Sequence, residues 1–312
     1  MSPVDPGLTQ RPVVPERHLG RFAMPGKGSV AWRNGGRGST NVQSGRGPAR
    51  SRHPRSGRAI PITTEEPNLN ASVQLAAAVV PAAGRGERLG PGAPKALREL
   101  GGVPLLVHAV RALARSRAVG LVVVCAPPDG VAEVVSLLDS HGLDGKDVRV
   151  VPGGASRQES VRLGLAAVPE GTRVVLVHDA ARPLVPVEVV DAVAAAVRAG
   201  AGAVVPAVPL ADTVKRVEPQ PSGPEPVLDT PDRAALRAVQ TPQGFDLPGL
   251  VEAHGRALAE GVEVTDDAGL IERFGGRVVV VPGHEEAFKV TRPLDLVLAE
   301  AVLARRRATD GY

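Results

Sequence analysis

From Gln74 onward, short runs of β-branched and other apolar residues alternate with longer stretches in which apolar positions recur every three or four residues. The short runs, at 75–80, 119–125, 148–151, 173–178, 203–208 and 278–282, predict strands. The longer stretches, at 103–116, 129–141, 156–168, 186–199, 248–260 and 293–307, predict helices. Val174-Val175-Leu176-Val177 is apolar without a break, as a strand covered on both faces requires. Strand and helix in turn predict an α/β protein with a doubly wound, mostly parallel sheet, whose ligands sit at the carboxyl ends of the strands. Residues 209–244 interrupt the alternation with a Pro-rich stretch and short extended pieces such as Thr213-Val214-Lys215, and predict an arm that leaves the globule.

The first 72 residues carry neither period. They hold eleven Lys and Arg against four acids, a net of +7, so of the chain's 37 basic and 33 acidic residues the remainder has 26 and 29. The basic balance belongs to this segment alone. Rich in Gly, Pro, Ser and Arg, it has too little apolar surface to offset its chain entropy and predicts a disordered extension, ahead of one domain at 73–307 and a tail at 308–312. A start at Met24, a nucleic-acid contact through the Arg/Gly stretch and an organelle transit peptide are its other readings. Phe22 and Trp32 are its only stacking side chains, and it lacks a clean amphipathic helix. One cysteine, Cys125, inside an apolar run, excludes an internal disulfide and a multi-cysteine zinc site and predicts a buried thiol. With no apolar stretch of membrane-spanning length and no signal segment, the expectation is a cytoplasmic protein with no membrane partner.

The chemistry belongs just after the strands. After the first comes V-V-P-A-A-G-R-G-E-R-L-G-P-G-A-P-K-A-L, Val79 to Leu97, where Gly84 and Gly86 let backbone N–H groups approach an anion while Arg88 and Lys95 supply charge. It is not a Walker loop, because Lys95 lies between Pro94 and Ala96, and Pro91 and Pro94 oppose the helix a dinucleotide fingerprint needs. After Val151 comes Pro152-Gly153-Gly154-Ala155-Ser156-Arg157, which reads equally as a capped turn or a ligand loop. After Val177, His178-Asp179-Ala180-Ala181-Arg182-Pro183 places Asp179 where a carboxylate can hold Mg²⁺ beside phosphate oxygens. Thr265-Asp266-Asp267, Lys289, and the Asp212-Thr213, Lys215, Arg216 and Arg233 group are, by spacing alone, equally helix-capping acids, an exposed lysine and a solvated surface.

Taken in order, Pro81-Ala82-Ala83-Gly84-x-Gly86-x-Arg88, Pro94-Lys95, His178-Asp179-Ala180-Ala181-Arg182-Pro183, Asp212-Thr213-x-Lys215, Thr241-Pro242-Gln243 and Lys289-Val290-Thr291-Arg292-Pro293 closely resemble the 2-C-methyl-D-erythritol 4-phosphate cytidylyltransferase family, over about residues 75 to 307. The resemblance implies a Rossmann-like nucleotidyltransferase fold with a protruding dimerisation arm. It also implies the reaction of CTP with 2-C-methyl-D-erythritol 4-phosphate to CDP-methylerythritol and pyrophosphate, in the non-mevalonate isoprenoid pathway, with Mg²⁺. Arg88 and Lys95 would stabilise the α-phosphate transition state, and Arg233 and Lys289 would hold the sugar phosphate, with Thr213 on that phosphate and Arg233 coming from the partner of a homodimer. Ala82, Ala83, Gly154 and Ser160 would read cytosine, and Asp179 and Asp266 would sit near metal and ribose. Gly84, Gly86 and Arg182 complete the substrate-binding set. Some members carry an acid where this chain has Ala155.

Elementary chemistry agrees with that implication. Nucleotidyl transfer asks for alignment and charge, so two anionic substrates need two sets of cations. The phosphate nucleophile is already ionised, which makes His178 structural rather than a base. The body's aromatics, Phe245, Phe274 and Phe288, lie outside the expected base pocket, so cytosine would be read by hydrogen bonds rather than stacking. The nearest rival is a ribitol-5-phosphate cytidylyltransferase, differing mainly in arm and sugar pocket; a rival of another class is a nucleic-acid-binding protein acting through the basic segment.

Overall fold

The computed structural model describes residues 75–84, 94–143 and 147–310. The expectations for the basic segment 1–72 and for Gly86 and Arg88 lie outside the described residues, and Lys95 is described in its backbone alone.

Strand β1 (Ala76–Pro81) leads, past a 3-10 turn at Lys95–Leu97, to a short ladder of β2 (Glu99–Leu100) with β3 (Val103–Pro104) and to helix α1 (Leu105–Ala114). The alternation continues through β4 (Val119–Ala126), α2 (Val131–Ser140), β5 (Val148–Pro152), α3 (Arg157–Ala166), β6 (Val174–Val177), α4 (Val187–Arg198) and β7 (Ala203–Pro209). A separate hairpin of β8 (Arg216–Val217) and β9 (Val227–Asp229) follows. Then come β10 (Arg237–Val239), β11 (Gln243–Asp246), α5 (Leu247–Glu260), α6 (Asp267–Arg273), β12 (Val278–Pro282) and α7 (Pro293–Asp310).

The main sheet runs β5-β4-β1-β6-β11-β7, with β12 parallel to β7 on its other edge and β10 pairing with the carboxyl half of β7. Only β10 and β11 run antiparallel. Successive residues of a strand face opposite sides. In β1, Ala76, Ala78 and Val80 pack with Leu106, Val110 and Val193 under α1 and α4, while Ala77 and Val79 pack with Val161, Leu165 and Leu250 under α3 and α5. Helix α3 is poor in apolar residues and depends on closeness: a Cβ at Gly164 would lie 2.6 Å from both Cys125 Sγ and Val79 Cγ1. Helix α5 begins at Asp246, whose side chain accepts from Gly249 N–H, and ends at Gly261 in the left-handed region at φ 64°.

The strands and helices expected from periodicity are all present. Two elements are additional. Helix α6 occupies seven residues, too few to show a period, and β11 contains Gly244 and a single large apolar residue, Phe245, which is fully buried. The interruption expected over 209–244 narrows to the hairpin region, because residues 237–239 and 243–246 return to the sheet. In the hairpin, Val227 and Leu228 are 56% and 57% exposed.

Candidate active site

The carboxyl ends of β1, β5 and β6 converge on a pocket of about 260 Å³. Ala82, Ala83 and Gly84 line it after β1, Gly154 to Arg157 and Ser160 after β5, and Asp179 to Ala181 after β6, with Lys289 closing one side. The loop after β5 is held by its own side chains. Ser160 Oγ, on a residue 2% exposed, accepts from Gly154 N–H at 3.0 Å and donates to Ser156 O at 2.8 Å. Ser156 caps α3 by accepting from Glu159 N–H at 3.1 Å, and Glu159 Oε2 takes Ala155 N–H at 2.8 Å. Ser160 thus both faces the pocket and fixes the turn that presents Gly154.

Asp179 is the electrostatic centre. Lys289 Nζ donates to its Oδ2 at 2.6 Å and Arg157 Nε to its Oδ1 at 3.1 Å. Burial pushes the Asp179 carboxyl up, but Arg157, Lys289 and Arg182 outweigh it and hold the group well below the usual carboxylate range. Behind it, Arg157 NH1 lies 2.8 Å from Asp267 Oδ2, and Asp267 Oδ1 accepts from His254 Nε2 at 3.1 Å. The Asp267 and His254 side chains are 1% and 2% exposed, so this is a buried charge with two partners. Arg157 is shared between an acid in the pocket and one behind it, and the two carboxylates outweigh the burial that would otherwise lower its affinity for its proton.

A second chain of hydrogen bonds fixes the Asp179 backbone. Its N–H donates to Thr241 Oγ1 at 3.0 Å, and Thr241 pairs with His178 Nδ1 at 3.1 Å. His178 Nε2 meets the Arg182 carbonyl at 3.2 Å; a carbonyl only accepts, so Nε2 carries the proton and Nδ1 accepts from Thr241. Burial pushes His178 down to about 4, leaving it neutral and fully engaged, which fits a structural role.

Ala82, Ala83, Gly84, Gly154, Ser160, Asp179 and Lys289 are therefore brought together. Asp266 stands apart from that lining, its carboxyl receiving Gln243 Nε2 at 2.7 Å and Gly269 N–H at 3.0 Å as the cap of α6. Arg182 turns away too, donating to Ala287 O at 2.7 Å and Val239 O at 3.2 Å and so tying together the segments that carry Asp179 and Lys289. Thr213 and Arg233 are exposed in the hairpin region, where Arg233 donates to Ala211 O. No cluster of three or more His, Cys, Asp or Glu side chains suited to a metal occurs among the described residues. Phe245 lies in the core and Phe274 beneath Arg256, at 4.1 Å, so neither enters the pocket. Cys125 is buried, its thiol pushed up to about 12 by burial. No helix among the described residues is long and apolar enough to cross a membrane.

Sequence reasoning passed over the residues behind Asp179. Arg157 and Asp267 were visible in their motifs, but an arginine in a capped turn and an acid in a first helical turn carry no mark of pairing with each other across so long a stretch of chain, and His254 sits in an unremarkable stretch of α5.

The sequence model of the 2-C-methyl-D-erythritol 4-phosphate cytidylyltransferase family matches residues 76–305. The protein of that name from Streptomyces avermitilis is 72% identical over 239 residues, covering 76% of this chain and 94% of the relative. That of Frankia casuarinae is 59% identical over 234 residues, covering 75% and 83%. Among solved structures, the enzyme of that name from Thermus thermophilus aligns with a TM-score of 0.58 at 38% identity, over 74% of this chain and 99% of that one. A 4-diphosphocytidyl-2C-methyl-D-erythritol synthase from Anaerococcus prevotii aligns with a TM-score of 0.65 at 28% identity, over 75% and 97%.

Proposed function

The chain belongs to the 2-C-methyl-D-erythritol 4-phosphate cytidylyltransferase family, and from that premise we propose how its residues divide the work. The enzyme transfers the cytidylyl group of CTP to 2-C-methyl-D-erythritol 4-phosphate, releasing pyrophosphate, in isoprenoid biosynthesis. An oxygen of the sugar phosphate forms the new bond to the α-phosphorus of CTP as the bond to the pyrophosphate oxygen breaks.

The base lies against Ala82, Ala83, Gly154 and Ser160. With no aromatic in the pocket, discrimination rests on backbone groups, and the Ser160–Gly154 bond that orders the loop sets their positions. Gly84 and Gly86 give the triphosphate close access to backbone, and Arg88 and Lys95 stabilise charge at the α-phosphate. Lys289 and, from a partner's hairpin in a homodimer, Arg233 and Thr213 hold the sugar phosphate in line. The exposed Val227 and Leu228 support that pairing of copies. Enzymes of the family use a divalent cation. Its fit here is to one carboxylate: Asp179 lines the pocket with its charge already balanced by two cations, a donor set suited to Mg²⁺ that keeps water and phosphate oxygens as its other ligands. When bound, that ion neutralises phosphate charge. Asp266, occupied by Gln243 and the start of α6, serves to shape the pocket floor from behind.

The observation that carries this reading is Asp179 held between Arg157 and Lys289 at the mouth of the loop that Ser160 braces. Pyrophosphate release with CTP and Mg²⁺ tests it. Turnover with methylerythritol 4-phosphate and none with ribitol 5-phosphate is the expected result; turnover with ribitol 5-phosphate alone would overturn the acceptor.

A further inference from the structure

A second cavity, about 660 Å³ and more than twice the active-site pocket, opens between the end of α1, the start of α4 and the last turns of α7. Five guanidinium groups line it: Arg111 and Arg115 at the end of α1, and Arg305, Arg306 and Arg307 on α7. Its only acids are Glu188 and Glu286. The groups are placed rather than scattered. Arg306 donates through Nε to Glu286 at 2.8 Å and through NH2 to Leu184 O at 2.7 Å, Arg305 also pairs with Glu286, and Arg111 donates to His141 O at 3.1 Å.

A charge count separates two explanations. Cations gather at helix carboxyl ends for the dipole alone, and α1 and α7 both end here. Each end supplies about half a negative charge. With the two carboxylates this makes about three negative charges against five positive, and the start of α4, whose N-cap Pro186 offers no side-chain acceptor, adds about half a positive charge. Dipole compensation thus leaves an excess of two to three positive charges. Burial and the adjacent Arg111 and Arg306 all disfavour the charged form of Arg115, the mark of cations crowded together. His108, in the same wall, is kept neutral chiefly by its burial, with Arg111 and Arg307 adding to the effect.

We propose that this cavity binds a diphosphate group and that its occupation bears on the active site. A diphosphate carries two to three negative charges at neutral pH and presents the oxygens that guanidinium forks grip in pairs. Val103, Pro183, Val187 and Leu303 form an apolar wall beside the cations, leaving room for a short alkyl chain on the diphosphate. Two segments join cavity and active site. Pro183 to Glu188 line the cavity just after Asp179 to Ala181 line the active-site pocket, and Glu286 lies three residues before Lys289. An anion that draws Arg305 and Arg306 off Glu286 alters the anchor of the segment carrying Lys289. The site is separate from the nucleotide pocket, so the proposal goes beyond the cytidylyltransferase reading.

The full chain is titrated calorimetrically, first with CTP and Mg²⁺, then, CTP-loaded and without acceptor, with inorganic diphosphate and with 3-methylbutyl diphosphate. One further site per chain is expected, weakened at least about tenfold by Arg111→Ala with Arg115→Ala, the loss of a charge-assisted hydrogen bond. Arg115→Ala alone, at an exposed position, gives the same direction should the double variant fold poorly. Unliganded turnover should stay within about twofold in both variants. Equal binding of the two probes supports the site and makes the reaction's own product its source; binding of the alkyl probe alone supports it and makes the chain part of recognition. No binding of either probe, or binding equal in wild type and variants, overturns the proposal. Turnover insensitive to an occupied cavity overturns the coupling. Failure of CTP to bind in the first titration counts against the nucleotide reading instead, and the wild-type against variant comparison then tests the cavity alone.

Discussion

Asp267→Ala should be among the most damaging single substitutions in the molecule, although Asp267 lies outside the nucleotide pocket. It removes the carboxylate that receives Arg157 at 2.8 Å and His254 at 3.1 Å, at a position 1% exposed. Breaking a buried pair by deleting one partner costs about 3–5 kcal/mol, because the other charge stays buried without its counter-ion. At about 2–4 °C per kcal/mol for a domain of this size, the melting temperature should fall by roughly 6–20 °C. Asp267→Asn keeps the shape and one acceptor but sets an amide N–H₂ against one of the two donors, for an intermediate cost of about 1–3 kcal/mol. Differential scanning calorimetry at fixed protein concentration, without nucleotide, measures both, since ligand and self-association shift the midpoint. The pH dependence supplies a second signature. The folded-state carboxyl is held below its ordinary value by His254 and Arg157 against burial, so its stabilising contribution is present above the ordinary carboxylate range, about pH 4, and is lost as pH falls through the folded value. The gap between wild type and Asp267→Asn should therefore narrow in acid. If both variants melt within about 1 kcal/mol of wild type at pH 7, the argument that Asp267 carries a buried charge fails.

Lys289→Ala should lower kcat/KM by about 10²–10³, as loss of a preorganised cation at a transferring phosphate does, read by pyrophosphate release. Ser160→Ala releases Gly154 N–H and should raise KM for CTP roughly five- to tenfold, with little change in KM for the sugar phosphate. Arg233→Ala and Lys95→Ala proteins, each inactive alone, should regain activity when mixed and allowed to exchange subunits; no recovery refutes a shared site. His178 is pushed from 6.5 down to about 4 by burial, so its contribution is complete above about pH 6.5 and declines as pH drops toward 4; a His178→Gln protein that keeps wild-type acid sensitivity across that window would contradict the assignment.

The alternation of strand and helix was legible because β1, β4 and β6 are buried on both faces and leave unbroken apolar runs. Helix α6 was not, since seven residues span too few turns to show a period, and β11 was not, since Gln243-Gly244-Phe245-Asp246 becomes a strand only through neighbours on either side. The candidate site divides in the same way. Asp179, Gly154 and Lys289 were readable from their places after strands and from the family's ordered motifs. The Arg157–Asp267–His254 chain was not, because pairing between α3, α6 and α5 is a property of packed layers and no local spacing encodes it.

The position of β11 also governs the order in which the chain can be completed during synthesis. Strand β6 meets β1 on one side, and its other side is filled only by residues 243–246, which leave the ribosome after the whole hairpin. Until then Val174 to Val177, fully apolar, presents an open edge of backbone donors and acceptors, the kind of surface on which nascent chains join one another. A fragment ending before Gln243 should therefore accumulate as aggregate, while one that includes Asp246 has its edge closed.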